Sequence, residues 1–262
     1  MTAKIKTWEN FNRRIRHIGV NLLRELGKYE NSIFVAGCQR SGTTAVTNAL
    51  NLSSDFGKYK FTRDTELDAA LILSGFHEVA KGRYCFQTTY LNEQFTEYFA
   101  HSNFKLVWVL RRPVPVVRSM LHNWSLSSLD RLYEGVGKRY LEDVGGPKPK
   151  LFGDDSVSHL QKACASYIAK VSQTQILLSK LGKERMLIVD YDDLLSEDGP
   201  VILANLYEFA DVSYDASYLE YFGKRTTRPN TKKLNQSDER FVQSTCEPTY
   251  SKATSITDYA CQ

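Results

Sequence analysis

Short apolar runs alternate with longer stretches of helical periodicity along most of the chain. The runs at 33–36, 104–110 and 185–190 have strand length and are rich in aliphatic and aromatic residues, so each predicts a buried β-strand. Helical stretches follow these runs at 43–50, 114–124 and 200–210. This alternation predicts an α/β fold with a mostly parallel central sheet flanked by helices. We expect residues 1–262 to form one domain, because no clear linker or repeat interrupts the pattern.

The N-terminal segment 1–30 contains apolar residues at three- and four-residue steps, which predicts an amphipathic helix over 8–26. The apolar stripe consists of Phe11, Ile15, Ile18, Leu22 and Leu26. Arginines lie largely off this stripe, so the helix could rest on a membrane surface as a peripheral contact. A helix packed on the domain with a solvated basic face explains the same pattern, and we favour this interpretation.

The remaining chain divides into stretches of clear and of weak periodicity. Residues 66–79 predict a helix that is interrupted near Gly75, and 159–181 predict one long helix. Glycines and prolines are frequent over 125–157, which predicts loops or short helices and a candidate lid or substrate insertion. The C-terminal segment 223–262 is polar and weakly periodic.

The most informative segment is the loop after the first strand, Gly37-Cys38-Gln39-Arg40-Ser41-Gly42-Thr43-Thr44. Its glycine spacing is that of a phosphate-binding P-loop, G-x-x-x-x-G-K-S/T, which directs backbone N–H groups and a helix N-terminus at an anion. Thr43 replaces the lysine of that pattern, so the usual contact to the terminal phosphates of a nucleoside triphosphate is missing. The loop therefore predicts a P-loop-type domain that binds an anionic nucleotide other than ATP or GTP.

A second anion-binding pattern follows the strand at 104–110. Arg111 ends this strand, Pro113 suits the first turn of the next helix, and Ser119 lies further along that helix. Ligand sites lie at the carboxyl ends of parallel strands, so we expect Arg111 and Ser119 at the same edge as the glycine-rich loop. A guanidinium and a hydroxyl together suit a phosphate, although each alone is commonly a surface ion pair or an ordinary helix serine.

Composition narrows the classes of function. A net charge of +4 over 262 residues suits an anionic ligand and is too small to indicate a nucleic-acid partner. The 5 cysteines are scattered without a CxxC pair, which predicts reduced thiols in a cytosol rather than a disulfide framework or a zinc site. No apolar run is long enough to span a membrane, and no signal-peptide core occurs. We therefore expect a soluble, cytoplasmic protein.

The two anion-binding segments together resemble the signatures of sulfotransferases that use 3′-phosphoadenosine 5′-phosphosulfate (PAPS). The loop at Arg40 resembles the 5′-phosphosulfate loop of that family, K/R-S-G-T-T/S, and the segment from Arg111 to Ser119 resembles its 3′-phosphate motif, R-x-P followed by a serine. The segment 187–194 resembles the family's strand that ends in Y-E/D-D-L. The resemblance extends over roughly residues 32–222 and implies a sulfotransferase-like domain.

The resemblance implies a role for each matched residue. Arg40 would contact the bridging and sulfuryl oxygens of PAPS and stabilise the leaving phosphate. The 5′-phosphate would be bound by Ser41, Gly42, Thr43 and Thr44. The 3′-phosphate would be bound by Arg111 and Ser119, and Tyr191 would lie near the adenosine. The family also places a basic C-terminal segment over the cofactor, for which the candidates are Arg225, Arg228, Lys232 and Lys233.

Transfer to a hydroxyl or amine also calls for a general base, and members of the family use a histidine or a glutamate between the two phosphate motifs. The candidates here are Asp64, Glu66, His77 and Glu78. We select Glu66, with His77 second, because glutamate-type enzymes often place the base in the stretch after the first helix. The alternative interpretation of Glu66 is a surface carboxylate near a helix start. Many relatives carry a lysine or histidine before the second strand, whereas this chain has the uncharged Gln87 in that region.

The resemblance thus predicts an enzyme that moves the sulfuryl group of PAPS to a hydroxyl or amine and releases adenosine 3′,5′-bisphosphate. No motif identifies the acceptor, which we expect to be a carbohydrate, a lipid or a small metabolite. No metal ion is expected, because the sulfuryl group carries less charge than a γ-phosphate; Asp192 and Asp193 are the candidate ligands for one. The alternatives are a P-loop kinase or NTPase, which Thr43 disfavours, and a catalytically inactive PAPS-binding protein, which Gln87 keeps open.

Overall fold

A parallel sheet forms the centre of the computed structural model, which describes residues 5–18, 21–143, 157–214 and 232–258. Its strands are β1 (Ser32–Gly37), β2 (Cys85–Gln87), β3 (Phe104–Leu110) and β4 (Met186–Asp190). Their order across the sheet is β2-β1-β3-β4, and each neighbouring pair is parallel. The predicted α/β class and parallel sheet are therefore confirmed.

The central strand β1 pairs with strands on both of its sides. Residues Ser32–Gly37 pair with 104–109 of β3, and residues 33–35 pair with Cys85–Gln87 of β2. All 6 residues of β1 are buried. The sequence does not predict β2, because a strand of 3 residues has too few positions to show a strand pattern.

Helices cover the sheet and extend beyond it. They are α1 (Trp8–Ile18), α2 (Thr43–Leu50), α3 (Thr65–Leu73), α4 (Pro113–His122), α5 (Leu126–Leu132), α6 (Lys138–Asp143), α7 (His159–Val171), α8 (Gln173–Leu181), α9 (Tyr191–Leu194), α10 (Gly199–Phe209) and α11 (Gln236–Asp258). The 3-10 segments Leu26–Lys28 and Thr89–Ala100 and the π-helical turn Tyr133–Gly137 complete the described helical elements.

Alternate residues of β1 and β3 face two separate cores. Phe34 and Trp108 lie in the larger core, together with buried residues of α3, α4 and α7. Val35 and Val107 lie in the second core, together with buried residues of α2 and α10. This arrangement follows from the two-residue period of a strand, and it leaves the carboxyl edge of the sheet to the loops that carry the candidate site.

The N-terminal helix is shorter than predicted. Helix α1 ends at Ile18, and residues 22–25 form turns, so the prediction of one helix over 8–26 is wrong in its length. The apolar face of α1 packs on the domain, where the rings of Trp8 and Phe11 contact Tyr90. Leu22 belongs to the same core but lies in a turn. Apolar residues therefore continue at helix-like spacing beyond the end of α1.

Two other helical predictions differ from the structure. The stretch predicted as helical over 66–79 forms α3 only as far as Leu73, before Gly75 takes a φ of 80°. The stretch over 159–181 forms α7 and α8 with a break at Ser172. Near the break, the Thr174 hydroxyl donates a hydrogen bond to the carbonyl oxygen of Val171 at 2.6 Å, a local bond of the kind that bends helices.

The polar C-terminal segment contains a helix that the sequence analysis does not predict. Helix α11 has 23 residues, and it includes Pro248, which normally argues against a helix interior. Its buried residues Val242, Cys246 and Ala253 form a narrow apolar stripe at helical spacing. This stripe is the sequence feature that could have predicted the helix, but the polar residues around it make the helical period hard to recognise.

The glycine- and proline-rich stretch forms short helices in its described part, as predicted. Residues 126–143 contain α5, the π-helical turn and α6, whereas 144–156 lie outside the described residues. Over the part of the chain that the structure describes, no helix has the length and apolar character needed to cross a membrane.

Candidate active site

The glycine-rich loop joins β1 to α2 at the carboxyl edge of the sheet. Gly42 is the N-cap of α2 and has a φ of 106°, in the left-handed region that favours glycine. Arg40 has a φ of 73°, which is uncommon for a residue with a side chain. No side chain caps α2, so the N–H groups of its first turn face the edge of the sheet as they do in anion sites.

Close contacts require both glycines of this loop. A Cβ on Gly42 would clash with the ring of Tyr191, and a Cβ on Gly37 would clash with the carbonyl oxygen of Val109. Within the loop, the Ser41 hydroxyl donates a hydrogen bond to the carbonyl oxygen of Cys38 at 2.7 Å. The loop is therefore held against β3 and α9 by its own packing.

The two phosphate motifs meet in the structure. Nε of Arg40 donates a hydrogen bond to Oγ of Ser119 on α4 at 3.0 Å, although the two residues are 79 positions apart in the chain. Helix α4 begins at Pro113, directly after the end of β3. Because the helix starts there, its second turn brings Ser119 back to the opening in front of the loop.

Arg111 ends β3 with its side chain in an ion pair. Its Nε lies 3.3 Å from Oδ1 of Asp192, and its guanidinium carbon lies 4.8 Å from the ring centroid of Tyr191. The hydroxyl of Tyr167 donates a hydrogen bond to the Arg111 carbonyl oxygen at 2.7 Å. The side chains of Arg111 and Asp192 are 24% and 22% exposed, so an incoming anion can reach the guanidinium.

Helix α11 reaches this same edge through Tyr250. The Tyr250 hydroxyl donates a hydrogen bond at 2.5 Å to Oδ2 of Asp190, the last residue of β4. Oδ1 of Asp190 accepts a hydrogen bond from the N–H of Asp192 at 2.8 Å. Helix α11 thus supports the turn that carries Tyr191 and Asp192, a contribution that the sequence analysis misses.

The predicted basic C-terminal segment lies partly outside the described residues. Arg225 and Arg228 fall in the range 215–231, which the structure does not describe. Lys232 and Lys233 precede α11 and are exposed.

Glu66 lies in the first turn of α3 and is linked to the glycine-rich loop through Gln87. Nε2 of Gln87 lies 3.4 Å from Oε2 of Glu66 and 3.4 Å from Oγ1 of Thr43, in two long hydrogen bonds. The Thr65 hydroxyl donates to Oε1 of Gln87 at 3.3 Å. Gln87 therefore bridges the candidate base and the start of α2.

The environment of Glu66 favours its protonated form. Burial of the carboxyl group raises the pKa of Glu66 to about 8, although part of the residue reaches solvent. The nearby charge of Asp64 acts in the same direction, whereas the ammonium group of Lys170 and the N–H of Tyr90 lower the pKa. A carboxyl group with this pKa is about half ionised near pH 8, which suits a general base.

The other candidate bases have different contacts. Asp64 caps α3 and accepts a hydrogen bond from Nε1 of Trp8 at 2.8 Å. The Glu78 side chain is 86% exposed and lies 3.8 Å from Nζ of Lys28. The ring of His77 stacks on Phe61, with 4.6 Å between the ring centroids. Among these candidates, the described contacts link Glu66 alone to the glycine-rich loop through one intervening side chain.

Neither a metal cluster nor a reactive thiol emerges from the described residues. Within the ranges that the structure describes, no group of three or more His, Cys, Asp or Glu side chains could hold a metal ion. Cys38, Cys85, Cys164 and Cys246 are free and buried. Burial raises the pKa of the Cys38 thiol to about 12, so this thiol beside the loop stays protonated.

The fold and this edge define a P-loop-type α/β domain with a candidate anion site at the ends of parallel strands and a buried carboxyl group beside it. A family model described as the sulfotransferase domain matches residues 30–254. Because this match covers most of the chain, the protein belongs to the sulfotransferase domain family. The resemblance drawn from the sequence motifs is confirmed at the level of the family. No curated protein matches the chain.

Solved sulfotransferase structures resemble the chain at low sequence identity. A sulfotransferase from Alicyclobacillus acidocaldarius is 13% identical with a TM-score of 0.46, over 86% of this chain and 95% of its own. The mouse sulfotransferase SULT7A1 complexed with PAP is 11% identical with a TM-score of 0.48, over 91% of this chain and 92% of its own. The sulfotransferase STF9 from Mycobacterium avium is 11% identical with a TM-score of 0.48, over 94% of this chain and 80% of its own.

Proposed function

We propose that the protein moves the sulfuryl group of PAPS to a hydroxyl or amine of a carbohydrate, lipid or small-metabolite acceptor and releases adenosine 3′,5′-bisphosphate (PAP). The contact between Arg40 and Ser119 is the observation that supports this most, because it joins two anion-binding motifs from distant parts of the chain. PAP carries two phosphates on one ribose. Two adjacent anion sites at one edge of the sheet suit such a ligand.

In this proposal, the donor binds with its two phosphates on different elements. Ser41, Gly42, Thr43 and Thr44 hold the 5′-phosphate at the N-terminus of α2, and Arg111 and Ser119 hold the 3′-phosphate. Arg111 has Asp192 as its partner in this structure, and a phosphate with its higher charge would replace that carboxylate. The Tyr191 ring, packed between Gly42 and Arg111, would lie at the adenosine end.

The proposed transfer is an in-line displacement at sulfur. The acceptor oxygen or nitrogen forms a bond to sulfur while the bond from sulfur to the bridging oxygen breaks, and that electron pair stays on the 5′-phosphate. The guanidinium of Arg40 stabilises the charge that develops on the bridging oxygen. The carboxylate of Glu66 accepts the acceptor's proton, and the hydrogen bond from Gln87 orients it.

Observations at Thr43 and Glu66 argue against the two alternative functions, a kinase or NTPase and an inactive PAPS-binding protein. A kinase or NTPase would need a lysine at position 43, where Thr43 begins α2. A catalytically inactive PAPS-binding protein is favoured by the uncharged Gln87 at the end of β2. The carboxyl group of Glu66 beside Gln87, with its raised pKa, supports the enzyme instead.

We also propose a cytoplasmic location. The four described cysteines are free, as is common for proteins in reducing compartments. The small net charge of +4 gives no support for a nucleic-acid partner.

Calorimetric titration of PAP into the wild type and into Arg111→Ala tests the donor assignment. Losing an ion pair and hydrogen bonds to one phosphate should weaken PAP binding by about 10- to 100-fold. The control is Arg131→Ala, because Arg131 is an exposed arginine on α5 whose Nε donates to the carbonyl oxygen of Ser127. Its loss removes the same charge and should leave PAP binding unchanged.

A titration with Mg-ATP separates the alternatives. The proposal predicts weak or absent Mg-ATP binding beside saturable PAP binding. Absence of PAP binding by the wild type would overturn the proposal, and saturable Mg-ATP binding would then favour a kinase or NTPase.

A further inference from the structure

Lys170 of α7 is buried in the protein interior with 0% of its surface exposed. A lysine is almost never fully buried unless it is paired. Its Nζ lies 3.3 Å from the carbonyl oxygen of Thr89. Among the described residues, no carboxylate lies within ion-pair distance of this ammonium group. The fold therefore buries a lysine amino group whose close partner is a neutral carbonyl group.

The Lys170 ammonium group lies beneath the edge that carries the candidate site. Thr89 follows the end of β2 closely, and the N–H of Thr88 donates a hydrogen bond to the carbonyl oxygen of Val35 on β1. Cys38, the residue after β1, is also close enough to interact electrostatically with Lys170. Helix α7 thus places the Lys170 amino group near the ends of β1 and β2.

The charged groups around Lys170 come from three elements. Lys170 and Glu66 contact opposite ends of one peptide unit: Nζ of Lys170 lies 3.3 Å from the carbonyl oxygen of Thr89, and the next N–H, that of Tyr90, donates a hydrogen bond to Glu66. Electrostatic interactions also reach Lys170 from Glu93 of the 3-10 segment at 89–100 and from the Cys38 thiol of the glycine-rich loop. Burial lowers the pKa of Lys170, and these neighbours oppose that shift. Glu93 is exposed, so solvent screens its charge more than that of a buried carboxylate.

Glu66 has a one-sided electrostatic environment. Besides Lys170, its charged neighbours are Asp64 and Glu93, and both carry negative charge. Tyr90 also faces it; burial raises the pKa of this phenol well above its usual value, so it stays neutral. Gln87, the side chain hydrogen-bonded to Glu66, carries no charge. Of these groups, Lys170 is therefore the one that favours the ionised form of Glu66.

We propose that Lys170 is a positioning residue for proton transfer, which supplies from α7 the positive charge that allows the buried Glu66 to ionise and act as a base. This inference goes beyond the donor assignment and rests on the proposed function only where sulfuryl transfer is measured. Without the ammonium group, Glu66 would be a buried carboxyl group beside two like charges, and it would keep its proton over a wider pH range.

Lys170→Met tests this proposal, because it removes the charge and keeps a long unbranched side chain. Lys162→Met is the matched control: Lys162 lies on the same helix, is 5% exposed, and has Nζ 3.0 Å from Oδ1 of Asp130. The readout is the titration of the Glu66 carboxyl carbon by NMR in protein labelled with ¹³C-glutamate. The Glu66 signal is assigned by its absence in Glu66→Gln.

The expected result is a rise in the Glu66 titration midpoint by about one pH unit in Lys170→Met, the size expected for one nearby charge at the effective dielectric constant of a protein. Lys162→Met should leave the midpoint unchanged. The acid limb of the pH profile of kcat should move in the same direction by the same amount. A midpoint that does not move in Lys170→Met overturns the proposal, because a purely structural role does not change this titration.

The NMR measurement distinguishes failure of this inference from failure of the proposed function. It needs neither PAPS nor an acceptor, so it reports on Lys170 even if the protein transfers no sulfuryl group. PAP binding by Lys170→Met together with an unmoved midpoint would overturn the role of Lys170 alone.

A reciprocal measurement covers the case in which Lys170→Met does not fold. In protein labelled at the lysine ε-carbon, Glu66→Gln should lower the titration midpoint of Lys170 by a similar amount, because the interaction acts equally on both partners. The Lys162 midpoint serves as the internal control. A Lys170 midpoint that is the same in the wild type and in Glu66→Gln contradicts the proposal.

Discussion

The two halves of the carboxyl edge of the sheet are built differently. The half at the ends of β1, β3 and β4 contains the glycine-rich loop, Arg111 and Asp192, and the side chains of Arg111 and Asp192 are about a quarter exposed. In the half at β2, Gln87 and Lys170 are buried and Glu66 is partly buried, and the pKa values of Glu66 and Lys170 are displaced. We call them the phosphate half and the carboxyl half.

The difference teaches how one edge can perform two tasks. An exposed ion pair exchanges partners readily, which suits the binding and release of a multiply charged ligand. A buried carboxyl group keeps an unusual proton affinity because solvent does not screen it, which suits a base. Except for Arg40, which we assign to the leaving oxygen, variants in the phosphate half should therefore change PAP affinity, and variants in the carboxyl half should change the rate and its pH dependence.

Glu66→Gln should have the largest effect. Removing a positioned general base should lower kcat by about 10²- to 10⁴-fold, and the affinity for PAP should stay as in the wild type. The measurement is PAPS turnover with an acceptor found by screening, alongside calorimetry with PAP. Glu78→Gln, at an exposed carboxylate, is the control and should keep full activity. Weakened PAP binding in Glu66→Gln would contradict the claim that the carboxyl half affects the rate and not PAP affinity.

Arg40→Ala should come next. Losing a preorganised donor to the leaving oxygen should lower kcat by about 10²- to 10³-fold. PAP affinity should fall much less, since the helix N-terminus and Arg111 remain. Arg131→Ala again provides the control, and single-turnover kinetics separate the chemical step from product release. An unchanged rate in Arg40→Ala would contradict its assigned role.

The stability of the wild type should depend on pH through Glu66. The pKa of Glu66 is about 8 in the folded protein and near 4.5 in the unfolded chain, so the folded state binds more protons between these values. The stabilisation is complete below the lower value and is lost as the pH rises through the upper one.

Relative to Glu66→Gln, the wild type should therefore lose about 2 to 3 kcal/mol of unfolding free energy between about pH 6 and pH 8. Urea unfolding of both proteins across this range measures the difference. If the unfolding free energies of the two proteins changed equally with pH, the Glu66 carboxyl group would ionise as it does in water, against this prediction.

Ser119→Ala should have the smallest effect of the four. It removes the hydroxyl that contacts Arg40 and that would contact the 3′-phosphate, so PAP affinity should fall by about tenfold. Ser179→Ala, on α8 at an exposed serine, controls for the substitution itself. Equal PAP affinities of Ser119→Ala and the wild type would show that Ser119 does not bind a phosphate of PAP.

The phosphate half is largely readable from the sequence because its signals are local. The loop at 37–44 and the segment from Arg111 to Ser119 each follow a clear strand, and parallel strands bring their carboxyl ends to one edge. The contact between Arg40 and Ser119 follows from these two facts and from the start of α4 at Pro113.

The carboxyl half is much less readable because its parts are far apart in the chain. Lys170 lies within α7, whose buried residues include a second lysine, Lys162, and a sequence shows only ordinary helical lysines there. Strand β2 is too short to be recognised by pattern. Tyr250 was missed for the same kind of reason, since α11 has a polar composition and its docking on the domain is a tertiary contact.

A crystal structure of the complex with PAP tests the central claim most directly. The account predicts one phosphate at the N-terminus of α2, within hydrogen-bond distance of Thr43 or Thr44, and the other on Ser119 and Arg111, with the ion pair from Arg111 to Asp192 broken. Glu66 and Gln87 should keep the contacts that they have without ligand. PAP bound elsewhere, or bound with Arg111 still paired to Asp192, would contradict the account.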